Sequence, residues 1–301
     1  MNETFDRGPV PHSTGTNLPA RRLPSRACDS HMHIFDPHFP KSPHWPRTPP
    51  IADIEAYRRL QRRLGTTRTI VVNPSTYGTD NACTLDALDQ LGDNARGVAV
   101  VSHDVADAEL DRLAVRRVCG VRVNFVSAQS WGQTTQAMLT TLAGKVARLG
   151  WHVQIFAHPD QIVSMAPALK ALPVPLVIDH LARLDPAEGS SGYAYRVLRT
   201  LLDGGNTWVK LSGAYMRSAI GGPSYRDMLP LGRALIEAAP ERLVWGSDWP
   251  HTTEKPNTVN DADLIDLLQA WAGPDEVMDR ILVDNPARLY GFDRQAAGAG
   301  E

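Results

Sequence analysis

Cysteine is scarce in this 301-residue chain. Cys28, Cys83 and Cys119 stand far apart and none belongs to a CxxC pair. An odd, scattered set argues against a disulfide framework and a structural zinc site, and for a reducing cytoplasm. An excess of one charge is also missing: 31 Lys+Arg face 33 Asp+Glu, so no basic surplus points to nucleic acid. No apolar run reaches the length of a membrane span, which argues against a membrane partner. The opening "MNETFDRGPVPHSTGTNLPARRLPSR" is polar, rich in Pro, Gly and Thr, and lacks the apolar core of a signal peptide. Residues 1–25 therefore read as a flexible arm. Residues 26–301 read as one domain, since no linker, repeat or low-complexity block divides them.

What the chain does have is alternation. Short apolar runs suited to strands occur at Ala27–His33, Arg68–Asn73, Gly97–Val101, Gly120–Asn124, His152–Phe156, Val174–Asp179, Trp208–Leu211 and Leu243–Gly246. Between them lie helical patterns such as "IADIEAYRRLQRRLG", "TTQAMLTTLAGKVARLG" and "AYRVLRTLLDGG", and a last helical stretch ends in "DNPARLYGF". Apolar strands joined by helices of this length form a parallel sheet buried on both faces. Eight such units favour a (β/α)8 barrel of TIM type over an open sheet. The proline-rich stretch from Phe35 to Ile51 then becomes a long loop after the first strand, of a length that usually serves a site.

In such a barrel the site lies at the C-terminal ends of the strands. "ACDSHMHIFDP" puts His31 and His33 on one face of the first strand, because side chains alternate. The second strand ends near Asn73, Ser75 and Tyr77, and the fourth carries Arg122 and Asn124. His158 follows the fifth and His180 the sixth, Tyr215 and Arg217 follow the seventh, and Asp248 and His251 close the eighth. Five of the ten histidines thus fall on one rim, a concentration that random placement rarely gives. Asp248 could instead cap the next helix. Arg122, flanked by valines, points inward and needs an anion such as Asp29, Asp248 or a substrate carboxylate. Arg217 could simply be solvated. His152 opens a strand at the far end, His12, His38 and His44 lie in loops, and His103 has no assigned role.

"DSHMHIFDP", "VIDHLAR" and "VWGSDWPH", in that order, resemble the lactonase branch of the amidohydrolase superfamily. "STYGTDNACTLDAL", "ARGVAVV", "GVRVNF", "PVPLVIDH" and "DNPARLYGF" resemble the 2-pyrone-4,6-dicarboxylate hydrolases, with galactarolactone isomerases and sulfomuconolactone hydrolases nearby. The resemblance implies a distorted (β/α)8 barrel that opens a carboxylated, anionic lactone in the catabolism of aromatic or sugar acids. Asp248 would be the general base, with His31, His33 and His180 around the lactone carbonyl. Arg122, Arg217 and Ser75 would grip carboxylates, with Tyr77, Asn124, Tyr215 and His251 lining the same rim. No cofactor is favoured: Arg122 and Asn124 fill the fourth-strand place where binuclear relatives carry a lysine or glutamate. Zinc held by His31, His33, His180 and Asp248, with His158 as an added ligand, is the alternative for the cofactor; a zinc-dependent amidohydrolase or decarboxylase, or a lactone isomerase, of the same superfamily is the alternative for the function. The isomerases carry Asn where this chain has Asp248, which favours hydrolysis. The family's extra basic residue after the fourth strand is replaced by Ser127 and Ala128, and its tyrosine after the fifth by Phe156. Both changes fit a less basic pocket than a pyrone dicarboxylate requires. A homo-oligomer is compatible with all of this.

Overall fold

In a computed structural model, residues 8–126 and 134–292 are described. Ser127 and Ala128 lie outside them. Eight strands run in chain order around the sheet: β1 (Cys28–Met32), β2 (Arg68–Val72), β3 (Ala95–Ala99), β4 (Val118–Asn124), β5 (His152–Phe156), β6 (Leu176–Ile178), β7 (Thr207–Leu211) and β8 (Leu243–Trp245). Every neighbouring pair is parallel. This is the (β/α)8 barrel of the sequence reading. The expected strands lie within about two residues of the observed ones; β3, β4 and β7 begin earlier than their apolar runs suggest, β3 because Ala95 and Arg96 pair with β2.

The outer ring is formed by α1 (Ile54–Leu64), α2 (Ala82–Leu91), α3 (Asp107–Val115), α4 (Gln136–Ala147), α5 (Pro159–Lys170), α6 (Tyr193–Asp203), α7 (Leu229–Ala238) and α8 (Asp261–Ala272). α1 shows the local logic. The Asp53 side chain caps its start by accepting from Ala56 N at 2.8 Å, and Gly65 ends it in the left-handed region. Its Ile54, Tyr57, Leu60 and Leu64 recur at helical spacing and are buried against the barrel.

The seam between β8 and β1 has no ladder of its own beyond a bridge between Met32 and Trp249. Asp29 closes it. Its two carboxylate oxygens accept from Ser247 N (2.9 Å), Ser247 Oγ (2.6 Å), Tyr57 OH (3.1 Å) and His31 N (3.2 Å). Burial raises the Asp29 carboxyl to about 6, against the pull of these donors. Asp248 N→His31 O (2.8 Å) and His33 N→Trp249 O (2.9 Å) complete the closure. The residues expected as an arm, from Gly8 on, run along the barrel wall: Trp249 Nε1 donates to Pro11 O, and Arg63 Nε to Asn17 O.

At the N-terminal end of the barrel, opposite the histidine rim, a glycine makes room for a histidine. A Cβ on Gly120 would lie 2.3 Å from the ring of His152, which also packs edge-on against Tyr290. Gly120→Ala should therefore overpack this layer and cost about 1–3 kcal/mol, read as a lower urea midpoint at unchanged m-value. An unchanged midpoint would show that the ring moves aside freely.

Candidate active site

Three imidazoles converge on one carboxylate oxygen. Asp248 Oδ1 lies 3.6 Å from His31 Nε2, 3.6 Å from His33 Nε2 and 3.8 Å from His180 Nε2. All four side chains are buried. Asp248 does not cap a helix, as the competing reading had it: α8 starts at Asp261 under Asn260, and Asp248 sits at φ 59° in the site wall. Tyr215 OH donates to Asp248 Oδ2 at 2.5 Å, and His251 Nδ1 lies 3.2 Å from the same hydroxyl with its Nε2 on Asp261. Burial works against ionisation of Asp248. The facing rings of His180, His33 and His31 outweigh it and hold the carboxyl well below the ordinary range.

Each histidine is oriented from behind. His33 Nδ1 donates to the Val72 carbonyl at 2.8 Å, and His180 Nδ1 pairs with Ser212 Oγ at 2.9 Å. His180 opens a run to Arg183 with four consecutive positive φ values. Such backbone costs roughly 1–2 kcal/mol per residue. Ala182 N→Asp179 O and Leu184 N→Leu181 O offset part of it. Gly213, at φ +62°, leaves the space that the His180 ring fills.

Behind His31 lies a buried charge cluster. Asp179 Oδ2 accepts from Arg122 Nε and Gln154 Nε2, both at 3.1 Å, and its Oδ1 is 3.3 Å from His31 Nδ1. Lys210 Nζ reaches Ser30 O (2.8 Å), Gln154 Oε1 (2.7 Å) and His31 Nδ1 (3.2 Å). The anion that Arg122 needs is thus Asp179, rather than Asp29 or Asp248. Burial first, and Lys210 next, depress the basicity of His31 well below normal, while Asp179 pulls the other way. Burial likewise lowers His180.

Above these groups opens a pocket of about 90 Å³. His33, His180 and Asp248 line its floor, Ser75, Arg122 and Asn124 one wall, and Trp45 and Arg47 of the long β1 loop another. Asn124 Nδ2 donates to Ser75 Oγ at 2.9 Å, and the Arg47 guanidinium lies over the Trp45 ring.

A family model described as amidohydrolase matches residues 28–292. The chain belongs to the amidohydrolase family. It is 36% identical to a 2-pyrone-4,6-dicarboxylate hydrolase of Comamonas testosteroni, covering 90% of this chain and 92% of that protein. A 4-sulfomuconolactone hydrolase of Hydrogenophaga intermedia is 35% identical, over 89% of this chain and 90% of the relative. A D-galactarolactone isomerase of Agrobacterium fabrum is 28% identical, over 90% and 93%. An apo crystal structure from Agrobacterium tumefaciens superposes with a TM-score of 0.82 at 28% identity, covering 91% of this chain and 98% of that one.

The donor set fits a zinc ion sterically. The Nε2 atoms of His31 and His33 are 3.3 Å apart and lie 3.6 Å from Asp248 Oδ1. A tetrahedral ion with bonds of about 2.0–2.1 Å spaces its ligands by about 3.4 Å. His31, His33 and Asp248 form one candidate ligand group, and His31, Asp179 and His180 a second that shares His31. His158 joins neither, being the N-cap residue of α5.

Some expected residues are not brought to the pocket lining. Tyr77 faces a separate groove with Lys41 and His44, its hydroxyl bonded to the Asp36 backbone. Arg217 is half-buried and paired with Asp185 at 3.1 Å. Tyr215 and His251 stand behind Asp248 rather than along the wall. The sequence reading did not single out Asp179, Gln154, Lys210 or Arg47. The lysine within "TWVKL" and the glutamine within "HVQIF" were available signals, since a polar side chain inside an apolar barrel strand needs an interior partner.

Gly246 carries the His31 backbone: a Cβ there would meet His31 N and Cβ at 2.6 Å. Gly246→Ala should shift His31 against Asp248 and lower kcat by about 10-fold or more, since small misplacements of reacting groups are costly. Steady-state kinetics on the folded variant checks this, and wild-type kcat would show that the strand adapts without moving the ring.

Proposed function

We propose that this chain is a cytoplasmic hydrolase that opens a carboxylated lactone by general-base activation of water. The observation that carries the reading is the single carboxylate oxygen of Asp248 set among His31, His33 and His180 on the floor of a pocket walled by Arg122 and Arg47. The hydrolase relatives act on lactones by their names, and the family match spans the barrel.

In this reading Asp248, kept ionised, takes a proton from water as its oxygen bonds to the lactone carbonyl carbon. The imidazoles face the oxygen that becomes an oxyanion, where fixed donors act strongly because water is excluded. The carbonyl re-forms, the ring C–O bond breaks, and the Asp248 proton passes to the leaving oxygen. The product is a ring-opened acid, one water heavier than the lactone. Tyr215 holds the unused oxygen of Asp248, so Oδ1 faces the reaction. Ser75, Asn124 and Arg47 offer donors for a substrate carboxylate, and guanidinium suits that role by its fixed fork of N–H groups.

The chain needs no metal for these steps. Zinc, where bound, would be held by His31, His33, His180 and Asp248, and would supply a polarised carbonyl and a more acidic water. Metal content determined beside activity, before and after chelation, decides between the two. We expect lactone opening to survive in zinc-free protein. Loss with the metal and recovery on adding zinc would refute the metal-free chemistry.

Asp248→Asn should lower kcat about 10³-fold with substrate binding retained, as expected for removing a general base. Wild-type turnover in that variant would eliminate Asp248 as the base. Analysis of the product also matters: a ring-opened acid supports hydrolysis, whereas a rearranged lactone would make the chain an isomerase. Arg47→Ala should raise KM for a lactone dicarboxylate about 10-fold with kcat nearly unchanged, the signature of lost uniform binding. An unaltered KM would remove Arg47 from the carboxylate site.

A further inference from the structure

Lys210 is the one cation of β7, is fully buried beneath the rim, and has no part in the chemistry derived above. Its surroundings are unusually well defined. Three acceptors stand around Nζ: Ser30 O at 2.8 Å, Gln154 Oε1 at 2.7 Å and His31 Nδ1 at 3.2 Å. An ammonium carries three protons and accepts nothing. The carbonyls of Ser30 and Gln154 can only accept, which leaves one proton for His31 Nδ1. Gln154 is itself oriented, because its Nε2 donates to Asp179 Oδ2 and so turns Oε1 toward the lysine.

A second line of contacts reaches the same ring from the other side. Val72 O can only accept, so His33 carries a proton on Nδ1. Its Nε2 lies 3.3 Å from His31 Nε2. A proton on His31 Nε2 turns this contact into a hydrogen bond. Lys210 from behind requires a bare His31 Nδ1, and the contact with His33 accommodates the proton on Nε2.

The rival partner for His31 Nδ1 is Asp179 Oδ1, at 3.3 Å. A proton on Nδ1 would then point beside an ammonium 3.2 Å away, N–H against N–H. Asp179 is already met by Arg122 and Gln154 on Oδ2, and Lys210 lies 3.9 Å from Oδ1. Asp179 Oδ1 has no hydrogen-bond donor among the described residues.

We infer that Lys210 is a positioning residue that fixes His31 as the Nε2–H tautomer and so makes it the donor to the lactone oxyanion. The role of the donor rests on the lactone-hydrolase reading; the tautomer does not. The same proton occupies the lone pair a zinc ion would use, so this tautomer and zinc ligation by His31 exclude each other.

The test is a long-range proton–nitrogen NMR spectrum of the full-length protein labelled with ¹⁵N-histidine, with zinc content measured on the same sample. His31 is assigned by the signals lost in His31→Asn. We expect the proton on Nε2 and a bare Nδ1. A proton on Nδ1, or an Nε2 bound to zinc, overturns the inference in the wild-type protein alone. In Lys210→Met, shown folded by near-ultraviolet circular dichroism, the proton should move to Nδ1 toward Asp179. kcat should then fall about 100-fold with KM within twofold, the scale of removing one oxyanion donor. An unchanged His31 spectrum in that folded variant overturns the role of Lys210. A wild-type Nε2–H spectrum from a protein inert toward every lactone tried supports the tautomer and overturns the activity instead.

Discussion

A carboxylate with no exposed oxygen, Asp179, is the point on which the site is built. Burying an unpaired charge is prohibitive, so the barrel interior supplies Arg122 from β4, Gln154 from β5 and Lys210 from β7 around it. Those partners come from three strands, and each fixes the angular position of its strand relative to β6. His31, in turn, is placed by the same cluster. The histidine rim is thus the upper edge of a buried polar layer that also holds the barrel in register.

The division of labour between the two ends of the barrel follows from this. At the far end Gly120 and His152 fill space by shape, and Arg68 and Arg96 lay their guanidinium groups over Phe292. At the rim, charged and polar groups outnumber apolar ones, and stability is exchanged for orientation. The strained backbone from His180 to Arg183 and the left-handed Asp248 both lie at this end, where the sheet, the Asp29 clasp and the charge cluster hold them against their local preference.

Much of this was legible in the sequence. His31, His33, His180 and Asp248 could be found because alternation in a strand and the rim rule of the barrel each place them without knowledge of distant contacts. The apolar runs located β5 to the residue, since both its ends are marked by the pattern itself. Three-dimensional pairing hid the rest. Arg122 was read as needing an anion, with Asp29, Asp248 or a substrate carboxylate named for it; the register of β4 against β5 and β6 selects Asp179 instead. Lys210 escaped notice because a lysine in a strand is usually solvated at an edge. Tyr77 and Arg217 sit at the right strand ends, yet their side chains turn to Asp36 and Asp185, a choice of rotamer that strand position does not determine.

The loop from Phe35 to Ile51 is tied off at its base by a pair of backbone hydrogen bonds between Phe35 and Ala52, each 2.9 Å long. Its tip delivers Trp45 and Arg47 to the pocket, while no residue of the charge cluster comes from it. The knot at the base insulates the barrel from whatever the loop carries. On the proposed reading, a lineage could therefore redraft the whole insert, changing which acid group is welcomed, without disturbing His31, His33, His180 and Asp248.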